Sequence, residues 1–489
     1  MAGQPNFLII LSDQHNPHNL GCYGDRIVRT PNLDRLAATG VRFDHTYCAS
    51  PLCVPSRMTF LTGRHCSDIG VWTNSCYLPS DIPTFAHGLG SAGYETVLGG
   101  RMHFLGPDQR HGFEHRIAGD VLGPHPGGPG PDLGNIPTAS TGQTRIAVEV
   151  AGPGRTAYQA YDVAVTDTCR RWLEQRDRRE DVRPFCLLAG YVLPHCPFIC
   201  PPELYAEYRD RVELPQTPPG YFEGLHPAVG RWREKRGITD LADEQIRCAR
   251  AAYYGLITFL DEQIGRLLAT LASTAFAEET VVVYLSDHGD MAGENGMWWK
   301  SSFYEGSAGV PMIWSWPRHL REGTVVDRVN NLIDVGPTLI DLAGGEPLPG
   351  AAGCSLRRLL ETGEDPDWED ETFSELYNGA DEPVARMVRR SRWKLNHYCG
   401  YGIPQLFDLE TDPAEFVDRG RDPDCAAVRE RLLTRLRRDW DGDAVRRRLE
   451  HRQAGRRYLR EWATAVEHDP SDFWRAPPGA NQWPLDRPS

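Results

Sequence analysis

The 489-residue sequence predicts an α/β fold, with a large, mostly parallel sheet sandwiched by helices and a smaller C-terminal α+β domain on a short antiparallel sheet. Three observations predict it. Residues 7–11 and 281–285 are short apolar runs without polar alternation, typical of strands buried on both faces. Residues 243–273 repeat apolar side chains at three- and four-residue spacing, as an amphipathic helix does. Short strand-like runs follow residue 365.

The two apolar runs end alike, in Ser12-Asp13 and in Ser286-Asp287. Ligands of parallel sheets bind beyond the carboxyl ends of the strands, so both aspartates are expected at the functional edge. A third strand over residues 184–192 leads to His195, and residues 158–178 form another candidate helix. Strands alternating with helices favour helices on both faces of one sheet.

The sequence divides into three parts. Residues 1–364 are expected to form the α/β domain that carries the functional site, and the Gly/Pro-rich stretch 343–354 is a predicted hinge. Residues 365–440 contain short strand-like runs before a helix at 426–440, which indicates a small α+β domain. The Arg- and Trp-rich residues 441–489 are predicted to be an extension that closes a pocket or packs on a neighbouring subunit.

Composition excludes several classes of partner. The chain has 53 Lys and Arg against 67 Asp and Glu, a net charge of −14, so general binding to nucleic acid or anionic membrane is not expected. The first residues lack the basic start of a signal peptide, and no apolar run approaches the roughly 20 residues of a membrane span. The 13 cysteines show no CxxC pairs, which predicts reduced thiols and a cytoplasmic protein.

The stretch Cys53-Val-Pro-Ser-Arg-Met-Thr-Phe-Leu-Thr-Gly-Arg64 has the pattern of a helix. Pro55 suits the first helical position and Gly63 a helix end. Cys53 is then expected just before the helix N-terminus, where free amides favour anions, with Arg57 as a fixed cation one turn on. Taken alone, Cys53 is either a small buried apolar residue or a reactive thiolate of lowered pKa.

The same stretch, C-x-P-S-R-x-x-x-L-T-G-R, resembles the signature of the formylglycine-dependent type I sulfatases, members of the alkaline-phosphatase-like superfamily. The resemblance implies that a formylglycine-generating enzyme oxidises Cys53 to an aldehyde (3-oxoalanine). One hydroxyl of the aldehyde hydrate then attacks the sulfur and expels the alcohol. The other hydroxyl loses its proton, sulfate leaves, and the aldehyde is restored.

The resemblance also implies a divalent cation at the strand ends, held by four residues: Asp13, Gln14, Asp287 and His288. An isolated aspartate at a strand end more often caps a helix or turn, so the cysteine signature carries this assignment. Calcium is the expected ion, with manganese or magnesium as alternatives, because an imidazole does not match the all-oxygen preference of calcium. His288 can alternatively support the metal ligands without binding the ion.

Further residues match elements of that family. Lys300 matches a lysine that contacts sulfate, His195 a histidine that protonates the departing alkoxide, and His103 a histidine that hydrogen-bonds the hydrate. With Cys53 and Arg57 they form the expected catalytic set. Arg101 stands where the family usually has lysine and is expected to bind sulfate through its planar guanidinium. Asn74 is a further candidate for substrate binding.

Within the family, the stretches 102–109 and 286–291 resemble choline sulfatases. The expected substrate is therefore an alkyl or aryl sulfate monoester. Trp298, Trp299 and Tyr304 either present aromatic faces to a quaternary ammonium or pack in the core. Two other functions stay open: a phosphonate monoester or phosphodiester hydrolase using the same site, and an inactive homologue that binds anions while Cys53 stays a thiol. A homo-oligomer, a dimer or tetramer, is also expected.

Overall fold

The structure is a computed structural model that describes residues 4–123, 131–180, 183–379, 381–466 and 474–484. Its strands are β1 Asn6–Asp13, β2 Val41–Tyr47, β3 Glu95–Gly100, β4 His115–Ala118, β5 Gly152–Pro153, β6 Phe185–Pro194, β7 Ile199–Cys200, β8 Thr280–Ser286, β9 Gly309–Ser315, β10 Thr324–Asn331, β11 Glu371–Leu376, β12 Ala385–Arg390, β13 Trp393–Tyr398 and β14 Gln405–Asp408.

The α-helices vary from one turn to thirty residues. They are α1 Pro31–Ala38, α2 Cys53–Thr62, α3 Cys66–Ile69, α4 Phe85–Ser91, α5 Arg145–Glu149, α6 Ala157–Arg176, α7 Pro202–Tyr208, α8 Pro227–Lys235, α9 Asp243–Ala272, α10 Glu305–Ala308, α11 Val335–Leu342, α12 Arg357–Thr362, α13 Ala426–Arg437 and α14 Gly442–Ala465. The helices predicted at 158–178 and 243–273 are thus confirmed as α6 and α9.

The large sheet has eight strands in the order β10-β2-β9-β8-β1-β6-β3-β4. All its pairings are parallel except those of β9 with β2 and with β8. Along β1, Leu8 and Ile10 join one hydrophobic core while Phe7, Ile9 and Leu11 join another. Because successive strand residues point to opposite faces, the sheet is buried on both sides. The predicted α/β sandwich is confirmed.

The second sheet is antiparallel and follows the chain order β11-β12-β13-β14. Helix α13 covers one face, where Leu432 and Leu436 join Val388 and Leu395 in a third hydrophobic core. This is the small α+β unit that the sequence predicts. A buried ion pair ties it to the large sheet, since Lys394 Nζ on β13 lies 2.6 Å from Glu305 Oε1 on α10.

The C-terminal residues pack on their own chain. Helix α14 buries Val445 and Leu449 in the third core. Residues 474–484 return to the large domain, where the Trp474 amide donates to the Asp120 carbonyl and Gln482 pairs with Arg155. Residues 441–466 and 474–484 thus contact the rest of their own chain, and the predicted packing of this tail on a neighbouring subunit stays a prediction. Residues 467–473 and 485–489 of the predicted extension lie outside the described residues.

Two further features bear on the composition-based predictions. All thirteen cysteines are free thiols. Across the described residues, no helix has both the length and the apolar character that crossing a bilayer requires.

Candidate active site

Four neighbouring strands of the large sheet, β8, β1, β6 and β3, deliver polar side chains at their carboxyl ends. Strands β1 and β8 are in register, with Ser12 opposite Ser286, so the aspartates that follow lie side by side. At its end or just beyond it, β1 supplies Asp13 and Gln14, β8 supplies Asp287 and His288, β6 supplies His195, and β3 supplies Arg101 and His103. The sheet thus gathers residues that are far apart in sequence, as expected for parallel strands.

Helix α2 points its first turn at this edge, and Cys53 is its first residue. The sequence predicts that the helix starts at Pro55, but it starts two residues earlier, at Cys53, with Leu52 as its extended N-cap. A helix leaves its first amides without internal partners, so proline is also tolerated at this third position. Gly63 ends the helix with φ 65°, as predicted. The predicted setting of Cys53 at a helix N-terminus is otherwise found.

Arg57 is fully buried and its hydrogen-bond donors are directed at protein groups. Its Nε donates to Asp287 Oδ2 at 2.7 Å, its Nη2 to Asp13 Oδ2 at 3.1 Å, and its Nη1 to the Arg101 carbonyl at 2.8 Å. We expected Arg57 to direct its charge at a bound anion, but the structure directs these donors at two carboxylates and a carbonyl of the protein. Arg57 fixes the two carboxylates relative to each other, because one guanidinium binds both.

The geometry of these carboxylates suits a divalent cation. With each Oδ2 bound to Arg57, both Oδ1 atoms face His288 Nε2, which lies 3.7 Å from Asp13 Oδ1 and 3.6 Å from Asp287 Oδ1. Ligand atoms of Asp13, Cys53, Asp287 and His288 all lie within 4.8 Å of one another. His288 Nδ1 lies 3.0 Å from the Gly289 carbonyl, so that nitrogen carries the proton and Nε2 keeps its lone pair for a metal. The residues present therefore fit the implied ion.

Gln14 sits beside this centre in a left-handed conformation, φ 72°. Its amide nitrogen donates to Asp290 Oδ2 at 2.5 Å, while its Oε1 accepts from Lys300 Nζ at 2.7 Å. The side-chain oxygen is thus oriented toward the site and is shared between Lys300 and any ion bound there. Asp290 fixes that orientation, since it also accepts the amides of Ala292 and Trp299.

The side chain of Cys53 is surrounded by nitrogen atoms. Its Sγ lies 3.2 Å from Lys300 Nζ and 3.2 Å from His288 Nε2. Burial alone would raise the pKa of the Cys53 thiol, but the nearby Lys300 ammonium and a hydrogen bond from His103 hold it well below its usual value. Position 53 therefore sits in an electropositive pocket that stabilises negative charge on its side chain.

His195 and Lys300 form a hydrogen-bonded pair. Lys300 Nζ lies 2.7 Å from His195 Nε2, and His195 Nδ1 lies 2.7 Å from the Cys196 carbonyl, to which it donates. The Nε2 lone pair thus accepts a proton of the lysine ammonium. One proton lies between the two nitrogens, next to Cys53, where it can be passed to a departing oxygen.

Arg101 also turns its donors to the protein, contrary to the expected role in sulfate binding. Its Nε lies 2.6 Å from Asp13 Oδ2, its Nη1 3.3 Å from Asp120 Oδ1, and its Nη2 donates to His103 Nδ1 at 3.2 Å. His103 therefore carries its proton on Nε2 and can donate to the group at position 53. Burial and the Arg101 charge lower the pKa of His103.

Asn74 contributes to the site indirectly. Its Oδ1 accepts the Val54 amide at 2.9 Å and so caps the first turn of α2. We expected Asn74 to contact the anion directly, but its Oδ1 instead caps the helix.

Three buried aspartates were not identified from sequence. Asp120 accepts the amides of Met102 and His103, and Asp290 orients Gln14. Asp162, from helix α6, accepts the Val192 and Leu193 amides just before His195. Burial raises the pKa of Asp162 to about 8, although those two hydrogen bonds act to lower it. Only Asp290 carried a sequence signal, because it lies in the Ser286–Met291 stretch already singled out.

The three aromatic residues near Lys300 belong to the core. Trp298, Trp299 and Tyr304 are each at most 2% exposed. Trp298 packs against Phe198 at 5.7 Å between ring centroids, and Tyr304 against Phe407 at 5.9 Å. Of the two readings left open by the sequence, core packing is the one that the structure supports.

Comparison with known proteins gives two family matches. The sulfatase family profile matches residues 5–345, and the profile "N-sulphoglucosamine sulphohydrolase, C-terminal" matches residues 293–441. The first range contains every strand of the large sheet and all the site residues described above. The second contains the small antiparallel sheet and helix α13.

Individual proteins resemble the chain over most of its length. A choline-sulfatase of Rhizobium meliloti strain 1021 is 34% identical, covering 93% of this chain and 90% of its own length. An arylsulfatase of Clostridium perfringens is 28% identical over 85% of this chain and 90% of its own. A phosphonate monoester hydrolase structure from Silicibacter pomeroyi aligns with TM-score 0.73 and 26% identity, covering 92% of this chain and 96% of that one.

The site geometry predicts that a divalent ion stabilises the fold. Protein treated with a chelator should gain about 2.7 kcal/mol when the added ion reaches a hundred times its dissociation constant. Asp287→Asn should abolish most of that gain because it replaces one of the two facing carboxylates with a neutral amide, whereas Asp327→Asn, exposed on the edge strand β10, should retain it. Thermal unfolding with Ca2+, Mn2+ or Mg2+ measures the effect. A wild-type melting temperature that no ion changes would contradict the metal site.

Proposed function

The chain belongs to the sulfatase family and hydrolyses sulfate esters, and from that premise we propose that it cleaves an alkyl or aryl sulfate monoester through a formylglycine hydrate made from Cys53. One observation carries the proposal. The Cys53 side chain, at the start of α2, lies 3.2 Å from both Lys300 Nζ and His288 Nε2. Those groups surround the place where a nucleophilic oxygen and a sulfate would meet.

In the proposed first step, a hydroxyl of the residue-53 hydrate gives up its proton and its oxygen forms a bond to sulfur while the sulfur–oxygen bond of the ester breaks. The released proton replaces the one that the Lys300–His195 pair gives to the departing alcohol. His103 Nε2 donates a hydrogen bond to the hydrate and helps to orient it, since Arg101 occupies its other nitrogen. The Lys300 ammonium balances the negative charge of the sulfate oxygens. The positive end of the α2 helix dipole favours the same anion.

The departing oxygen takes its proton from the Lys300–His195 pair. Their 2.7 Å separation keeps that proton between two nitrogens beside position 53. In the second step the remaining hydroxyl of residue 53 loses its proton, its carbonyl re-forms, and the carbon–oxygen bond to sulfate breaks. Addition of water to the aldehyde restores the hydrate.

A divalent cation is part of the proposal, because sulfatases generally use one with formylglycine. Asp13, Asp287 and His288 would hold it, with Gln14 Oε1 as a further ligand, and it would supply positive charge to the sulfate oxygens. Calcium is the ion expected from the family resemblance. The imidazole nitrogen of His288, however, suits manganese better than calcium. Thermal unfolding with each ion distinguishes the two.

The proposed maturation partner is a formylglycine-generating enzyme. Cys53 is 1% exposed, so such an enzyme has to act before the chain is fully folded or on a locally opened state. The homo-oligomeric state and a cytoplasmic location remain predictions from the sequence.

A phosphonate monoester hydrolase is the second candidate function. The Silicibacter pomeroyi enzyme of that name shares 26% identity and most of its length with this chain. Both reactions place a tetrahedral anion beside the same nucleophile, so one site can serve both. The ratio of kcat/KM for 4-nitrophenyl sulfate to that for 4-nitrophenyl phenylphosphonate, measured on one preparation, separates them: the proposed function requires the sulfate to be preferred.

Cys53→Ala should reduce hydrolysis of 4-nitrophenyl sulfate to background, because no nucleophile remains at position 53. Its circular dichroism spectrum should stay that of the wild type. Cys169→Ala, which also truncates a fully buried cysteine, should keep its activity because Cys169 lies on helix α6 in the core. Normal turnover by Cys53→Ala would refute the mechanism. An unmodified Cys53 in an inactive wild-type protein would instead favour the anion-binding homologue.

His195→Ala should slow hydrolysis according to the leaving group. Alkyl sulfates need a proton on the departing oxygen and should lose about 10²–10⁴-fold in kcat, the usual contribution of a general acid. 4-Nitrophenyl sulfate has a stable leaving group and should lose far less. Steady-state kinetics on both esters measures the difference, with His18→Ala as a control outside the site. Equal losses on the two substrates would rule out the acid role.

A further inference from the structure

A cavity of about 880 Å3 lies against the start of helix α2. Its lining includes Leu52, the residue before Cys53, and Asn74, whose side chain caps the Val54 amide. Both residues adjoin the backbone of Cys53, the proposed nucleophile, although Cys53 itself is not part of the lining.

One side of the cavity is formed by the C-terminal helix α14. Its side chains there include Arg456, Arg457 and Arg460, here called the arginine wall. The helix is held against the large domain because Arg452 Nη1 donates to the Gly70 carbonyl at 2.6 Å and Leu449 is buried. The arginine wall is thus positioned by packing contacts.

The positive charge of the arginine wall is mostly not compensated by the protein. Arg456 Nη2 contacts Cys76 Sγ at 2.9 Å and makes no ion pair with any described residue. Arg457 lies 3.8 Å from Glu461 in an exposed pair, which contributes little. Arg460 makes no ion pair with any residue in the described parts of the chain.

The other charged side chains of the cavity leave this surplus in place. Arg236 is neutralised by Glu382, 3.0 Å away, and Glu450 is the one acidic residue of the lining. A positive cavity in a chain of net charge −14 is not a consequence of overall composition.

We propose that the arginine wall binds a second anionic group of the substrate, a carboxylate or a second sulfate, remote from the ester that is cleaved. This inference rests on the proposed function and deepens it. Guanidinium groups bind carboxylates and sulfates through paired, charge-assisted hydrogen bonds. A quaternary ammonium alcohol such as choline would be repelled by the same surface, and the buried Trp298, Trp299 and Tyr304 do not line the cavity to attract it.

The test compares substrates that differ only in the remote charge: 3-(carboxymethyl)phenyl sulfate, its carboxamide, and 3-(sulfomethyl)phenyl sulfate. Their leaving phenols are similar, so chemistry at the ester stays matched. The wild type should show kcat/KM at least about tenfold higher for the better of the two anions than for the amide, the effect of one charge-assisted hydrogen bond. The preferred anion distinguishes a site for a carboxylate from a site for a second sulfate, for which the sulfonate is a stand-in that cannot be hydrolysed. Choline sulfate should be a poorer substrate than 4-(sulfooxy)butanoate.

Arg457→Gln with Arg460→Gln should lower kcat/KM for the two acids to that for the amide, because the charges that bind the remote anion are removed. Arg447→Gln, on the same helix but outside the cavity lining, should retain it. Equal kcat/KM for acids and amide in the wild type, or a preference for choline sulfate, would overturn the proposal.

A binding measurement separates this proposal from the hydrolytic function. Calorimetry with the product 3-hydroxyphenylacetate should show binding that weakens about tenfold in the double variant. That result would support the arginine wall even if no sulfate ester were hydrolysed. Undetectable binding or equal affinity in wild type and variant would count against it whatever the enzyme activity.

Discussion

The buried contact of Arg57 with Asp13 and Asp287 is the interaction on which the site depends. Two carboxylates this close and this deep would repel each other and resist ionisation. Burial and the Asp13 charge raise the pKa of Asp287, whereas the charges of Arg101 and Arg57 overcome burial and lower the pKa of Asp13. By binding both Oδ2 atoms, Arg57 compensates the charge and turns both Oδ1 atoms toward one point.

The rest of the site follows from the ends of four strands and one helix. Parallel strands set the aspartates, His195 and His103 at one edge, and α2 brings its amino end to the same place. Neighbouring side chains then hold these groups in place. His103 is held by Arg101, two residues away, whereas Gln14 is held by Asp290 and the end of β6 by Asp162, both distant in sequence. These supports reduce the reorganisation needed during a reaction, which is how enzymes obtain electrostatic stabilisation.

The strands and the long helices were predictable because each depends on a local pattern of apolar residues. Cys53, Asp13 and Asp287 were predictable because they stand in a long motif or directly after a strand. The direction of Arg57 and Arg101 was not, since a guanidinium can bind a substrate or a carboxylate and sequence does not show which lies within reach. The same holds for the tail: its arginines indicate a charged helix, but only the folded chain shows that Arg456, Arg457 and Arg460 face a cavity beside Cys53.

The central claim is that residue 53 acts as an oxidised side chain within this charged centre. Mass spectrometry of the tryptic peptide spanning residues 43–57, taken from purified protein whose sulfate-ester turnover has been measured, tests it most directly. We expect an aldehyde at position 53 and an intact thiol at Cys48 in the same peptide, with the aldehyde fraction proportional to activity across preparations. Full activity in protein whose residue 53 is entirely thiol would contradict it.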